Sequence, residues 1–138
     1  MIMLKHLFII LLFLSFSKDC FSQTKRLREA GNISMVEVLV NPEEFHGRKI
    51  LLHGIFISEI ENSALYLAKQ SAEYGISAEA IWVRFTDGYE HDLELKKLIG
   101  KYVSIYGMFD KDQFGHMGAF RGTILAEKIR LMPRFRKL

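Results

Sequence analysis

Cysteine is scarce in this sequence. Cys20 is the one cysteine among 138 residues, which excludes an intramolecular disulfide framework and a cysteine-rich zinc site. Two prolines and ten glycines exclude a collagen-like or low-complexity chain. Neither charge sign dominates: 19 basic and 16 acidic residues leave +3, which neither demands nor forbids an anionic partner. The longest apolar run, Leu7 to Phe16, covers about 15 Å as a helix, roughly half the bilayer core, so a stable membrane anchor is the weaker reading. Signature motifs of chemistry are missing as well. There is no Gly-x-Ser-x-Gly elbow, no Walker A loop and no dinucleotide-binding glycine pattern.

What the amino-terminal segment does contain is an export pattern. Lys5 and His6 precede the apolar run, and a polar stretch, Ser17 to Gln23, follows it. This is the layout of a secretory signal peptide. Cleavage after Ser22 puts Cys20 and Ser22 at the small-residue positions. Ser17, Lys18 and Asp19 do not make a lipobox ahead of Cys20, which disfavours lipidation. Residues 1–22 then form the signal, 23–32 a polar, basic leader, 33–133 the folded domain and 134–138 a basic tail. The expected location is periplasmic or secreted, with no thiol left after cleavage. An exported domain without disulfides must be held by its core, and about 100 residues suffice for that.

An internal echo organises the domain. Phe45-His46-Gly47-Arg48-Lys49-Ile50-Leu51-Leu52-His53-Gly54-Ile55-Phe56 aligns without a gap on Leu98-Ile99-Gly100-Lys101-Tyr102-Val103-Ser104-Ile105-Tyr106-Gly107-Met108-Phe109. Each half reads as a helical turn stopped by glycine and followed by a strand. Ile50, Leu52 and Phe56 share one strand face, as do Val103, Ile105 and Phe109. Gly54 and Gly107 fall on those same inner faces, where glycine marks a bulge or tight bend. Three more strands are expected at 63–69, 81–85 and 122–132, and a helix within 89–99 ended by Gly100. Ahead of them, Ser34 and Glu37 have capping-box spacing, with Val36, Leu39 and Val40 on one helical face. The order predicts a mainly β protein: a five-stranded OB-fold-like barrel with a helix between strands three and four and a short amino-terminal helix. A small open α+β sheet is the competing architecture.

The stretch Asn41-Pro42-Glu43-Glu44-Phe45-His46-Gly47-Arg48-Lys49-Ile50-Leu51-Leu52-His53-Gly54 resembles the opening of small bacterial exported OB-fold proteins, whose pattern is roughly N-P-x-x-Y-x-G-K-x-V-x-V-x-G. Leu65-Tyr66-Leu67 and Gly115-His116-Met117-Gly118 are similar to that group too. Phe45 stands where tyrosine is commoner. The resemblance implies architecture and export, and it assigns no activity.

The residues themselves argue against an enzyme. His46, His53, His91 and His116 form no close pair of the kind zinc sites favour, so no metal or other cofactor is expected. Glu59, Glu61, Asp87, Glu90 and Asp92 read as strand-end and helix-entry acids. A binding surface is better supported. Strand parity turns Leu51, His53, Ile55, Tyr102, Tyr106 and Met108 outward, along with Trp82 and Arg84, which makes the barrel exterior more apolar than water requires. The OB-fold ligand face on strands two and three singles out Tyr66, Trp82 and Arg84, with Tyr106 on strand four. The 110–121 loop adds Phe114, His116, Phe120 and Arg121, while the turn glycines 115 and 118 read as turn chemistry. These eight residues form the candidate ligand site of a non-enzymatic module for a protein or glycan partner. An immunity or inhibitor protein using the 110–121 loop is the alternative. A single-stranded nucleic-acid binder is disfavoured by the export signal and the small charge, +2 after cleavage, much of whose basic excess sits towards the two ends at Lys25, Arg26 and Arg28 and at Arg130, Arg134, Arg136 and Lys137. The oligomeric state is left open.

Overall fold

The computed structural model describes residues 33–60, 62–86 and 93–134. The expected signal, leader and residues 135–138 of the tail lie outside them, as do Glu61 and 87–92, with His91. Among the described residues, no helix is long and apolar enough to cross a membrane.

The elements are α1 (Met35–Val40), α2 (Pro42–Phe45), β1 (Lys49–Glu59), β2 (Asn62–Tyr66), α3 (Lys69–Glu73), β3 (Ala80–Phe85), α4 (Leu93–Lys96), β4 (Tyr102–Asp110) and β5 (Thr123–Leu131). The strands close into a barrel in the order β1-β2-β3-β5-β4, with β3 and β5 parallel and the other pairs antiparallel. This is the expected OB-fold-like ring.

The two echoing segments meet as β1 and β4, paired around Leu52 and Ile105, which are equivalent positions of the echo. Their end contacts are reciprocal. Gly47 N–H donates to the Phe109 carbonyl at 2.8 Å, and Gly100 N–H donates to the Phe56 carbonyl at 2.7 Å. Phe109 N–H and Phe56 N–H return bonds of 3.0 Å to the carbonyls of Arg48 and Lys101. Gly47 and Gly100 take φ of 70° and 75°, the left-handed values that end each helical turn. The inner faces behave as the alternation requires: Ile50, Leu52, Phe56, Val103, Ile105 and Phe109 are buried, with Leu65, Ile81, Val83 and Ile124. Phe56 and Phe85 meet edge to face at 5.9 Å between centroids.

Several local expectations change. Ser34 does cap α1, but its hydroxyl accepts from Val36 N–H, and the buried face is Met35 and Val38, with Leu39 partly buried against the core and Val36 and Val40 exposed. Met35 and Val38 join Ile33 and Phe45 in the barrel core, so the side facing the barrel wins over the best apolar spacing. Strand β2 stops at Tyr66, and α3 begins where more strand was expected. The helix before β4 is a single turn, Leu93–Lys96, extended by bonds from Lys97 to Glu94 and from Leu98 to Leu95. The closing strand falls where it was expected, and Arg130 lies within it.

Candidate functional site

The β4–β5 connection folds back over the outer surface of β3. Trp82 projects outward from β3, as its parity requires. A Cβ on Gly115 would lie 2.6 Å from the Trp82 ring, so the absence of a side chain lets the loop backbone rest on the indole. Phe120 packs against the same ring, centroids 4.9 Å apart and tilted by 58°. Gln113 completes the clamp: its carbonyl accepts from the Thr123 hydroxyl at 2.7 Å, and its Oε1 accepts from Arg84 at 3.1 Å. Backbone bonds from Trp82 to Gly122 and from Arg121 to Ala80 close the end of the loop.

This arrangement divides the eight candidates. Tyr66 and Phe120 are buried with Ala64 and Ala80 in a second, smaller core outside the barrel, with Trp82 and Ala72 packed against it. Tyr66, at 2% exposure, offers no ring face to a ligand, which corrects its assignment to the ligand surface. The physical reason is that α3 and the loop cover the outer faces of β2 and β3. Ser71 of α3 is buried there too, its hydroxyl donating to the Glu79 carboxylate. Phe114, His116 and Arg121 stand exposed on the loop. Tyr106 lies elsewhere, opposite Leu51 on β1 and Lys128 on β5.

At the tip the backbone departs from the ordinary. Gly115 has φ 66° and ψ −157°, and Met117 is left-handed at φ 55°. Met117 is 90% exposed. A non-glycine residue held left-handed costs about 1 kcal/mol, and here no packing of the side chain offsets it. Beside the loop runs an open groove of about 640 Å³, walled by Leu39, Val40 and Pro42 on one side and Phe114, Phe120 and Arg121 on the other. Val40 is 70% and Phe114 50% exposed. Sequence reasoning missed the helix wall and Gln113. Met117 carried one signal, its place in the Gly-x-x-Gly turn.

The root of the loop is a charged corner. Donor atoms of His46, Asp110 and Asp112 come within 4.8 Å of one another, a set that could in principle take a cation. The corner already holds its own: Lys111 Nζ lies 2.7 Å from Asp112 Oδ1 and 3.3 Å from Glu43 Oε1. His46 Nδ1 accepts from Lys111 N–H at 3.3 Å, and Asp110 Oδ1 accepts from Asp112 N–H at 2.9 Å. These bonds tie the loop to the turn after α2, and the cluster reads as an ion-pair corner.

The Lys111 hydrogen bond, with its charge, holds the Asp112 carboxyl below its usual value. Asp112 and Glu43 together hold the Lys111 ammonium above its own. A carboxyl whose folded pKa is lowered contributes stability above its unfolded pKa and loses it as pH falls through the folded one; a raised lysine contributes below its unfolded pKa and loses it as pH rises through the folded one. Lys111→Met should therefore lower the melting temperature slightly at neutral pH, with the difference from wild type vanishing in acid below the Asp112 transition. The groups are exposed, so added salt should shrink the difference. Thermal unfolding across pH checks this, and a constant difference down to strong acid would contradict it.

No protein-family model matches the chain, and no curated protein matches it. Among solved structures it is similar to a DUF3299 family protein from Pseudomonas aeruginosa, at a TM-score of 0.45 and 17% identity, over 65% of this chain and 64% of that one. The chain thus spans a little less than two thirds of that protein.

Proposed function

We propose that this protein is an exported, non-enzymatic binding module that engages a protein partner through the β4–β5 loop. One observation carries the reading: a loop clamped onto β3 holds Met117 strained and 90% exposed. Strain without packing return collects where a surface is shaped for something else. A loop ordered before binding loses little entropy on binding, which is how rigid loops gain affinity. Phe114 and the groove wall at Leu39 and Val40 extend the apolar contact. A protein is favoured over a glycan because Trp82, the best stacking ring for a sugar, lies under Gly115 and Phe120. The same rigid loop supports the second reading, an immunity or inhibitor protein whose partner is a toxin or hydrolase.

The test is capture from an envelope extract with the full chain as bait, beside a Phe114→Ser/Met117→Glu variant. Both side chains are exposed, so the variant should keep its stability to within about 0.5 kcal/mol. The expected result is a retained protein that the variant loses. Equal retention by both would move the site off the loop and overturn the reading.

A further inference from the structure

A second surface lies on the outer face of β1, β4, β5 and the end of β3. Cross-strand partners share a face, and the register sets out two rows. One runs Arg84, Leu125, Met108, Lys49, and the next runs Lys128, Tyr106, Leu51. Leu51, Met108 and Leu125 are 37–42% exposed. They form an apolar band on a face where a solvated sheet alternates to polar residues.

The rim of the band is basic. Lys49 is neutralised by Glu127 at 2.8 Å, and Asp110 stands against His46 at 3.5 Å. Lys128 and Arg130, the latter opposite Ser104, make no ion pair or side-chain hydrogen bond among the described residues. Arg84, among the described residues, donates to the uncharged Gln113. Among the described residues these three cations form no ion pair along one edge of the apolar band. At the Arg84 end a cleft of about 160 Å³ opens, with Met108, Leu125 and the acidic Asp110 among its walls, room for one large side chain.

We propose that this face docks an acidic segment of a protein, its apolar side chains on Leu51, Tyr106, Met108 and Leu125 and its carboxylates on Arg84, Lys128 and Arg130. Charge complementarity selects the sign. The 37–42% exposure of Leu51, Met108 and Leu125 selects the kind of partner: these side chains are more than half covered by their neighbours, whereas insertion into a bilayer buries a wholly exposed apolar face. Stacking on nucleic-acid bases needs free aromatic faces, and here the band is mostly aliphatic.

The test uses the full chain against immobilised short peptides alternating Asp or Glu with Leu or Phe, a matched set carrying Lys or Arg, phosphatidylserine vesicles and an oligothymidine. Retention by the acidic peptides alone is expected, weakening about tenfold or more between low and high salt. Lys128→Glu/Arg130→Glu should abolish it with the melting temperature unchanged, since neither side chain has an ion pair or side-chain hydrogen bond to lose among the described residues. Phe114→Ser/Met117→Glu should leave it intact, which separates this face from the loop. Equal retention of the basic set, preference for vesicles or oligothymidine, or indifference to the charge reversal would each overturn the proposal.

Discussion

Gly107→Ala should destabilise the domain by at least about 3 kcal/mol, the upper range of overpacking costs. For a domain of this size that is a fall of roughly 15 °C in melting temperature. The added methyl would point at backbone, not at a side chain that can swing away: the Leu125 carbonyl carbon is 2.8 Å and Ala126 Cα 2.9 Å from its position. The register between β4 and β5 shifts at this point, between Tyr106 and Gly107. Glu127 is the extra residue, and the bulge brings β5 up against Gly107. Relief would require parting the two strands that close the barrel, and a buried, unpaired ladder is expensive. Gly118→Ala is the control. Gly118 is also glycine in an unusual conformation, φ 67°, but nothing lies within 4 Å of its missing Cβ. Only the left-handed strain remains there, about 1 kcal/mol. Thermal unfolding of both variants by circular dichroism decides the matter. A Gly107→Ala variant as stable as Gly118→Ala would mean that β4 and β5 do not meet as closely as described.

That glycine was visible in the sequence before any fold was known, and the reason is general. The echo between residues 45–56 and 98–109 records two constraints that act on short stretches: a helical turn that must end left-handed, and a strand that must alternate. Both leave local marks, so Gly47, Gly100, Gly54, Gly107 and the inner faces of β1, β3 and β4 could be read directly. Pairing was not local information. Nothing in either segment alone says that they lie side by side with Gly47 bonded to Phe109 and Gly100 to Phe56. Where two elements compete for one surface, spacing also failed. Val36, Leu39 and Val40 make the better helical stripe, yet of these only Leu39 packs against the barrel, beside Met35 and Val38, because Ile33 and Phe45 already commit the chain on either side.

The candidate site shows the same division. Parity turned Trp82 and Arg84 outward correctly, but outward from the barrel is not the same as open to solvent. Tyr66 and Trp82 are covered by chain that returns from elsewhere, 69–73 and 113–122, with Phe120 among the covering side chains. Such cover depends on residues with little pattern of their own: Gln113, Gly115 and Ala72. The loop was identified by its glycines and aromatics, while its conformation needed the structure. Leu125 and Lys128 escaped notice because the bulge at Glu127 shifts the parity of β5 partway along its length.

Gly115→Ala should release the loop and weaken partner binding together. Gly115 adopts a backbone conformation essentially reserved to glycine, at a cost of about 1–3 kcal/mol for another residue. Its Cβ would also stand 2.6 Å from the Trp82 ring. The barrel can shed both penalties by letting residues 113–120 lift from β3, since the strand ladders do not depend on this contact. Trp82 is the one tryptophan in the chain, so its fluorescence reports this event alone. Its emission should shift to the red and become easier to quench as the indole meets water. Phe114 and Met117 would then have to be ordered on binding instead of beforehand, a cost of about 2 kcal/mol, or roughly thirtyfold in Kd. A red shift with full affinity would show that the partner does not use a preordered loop, which removes the main support for the proposed function. Unchanged emission with unchanged affinity would mean that the loop backbone shifts enough to clear the Trp82 Cβ and ring without exposing the indole, and would place the rigidity of the loop in Gln113 and its bonds to Arg84 and Thr123.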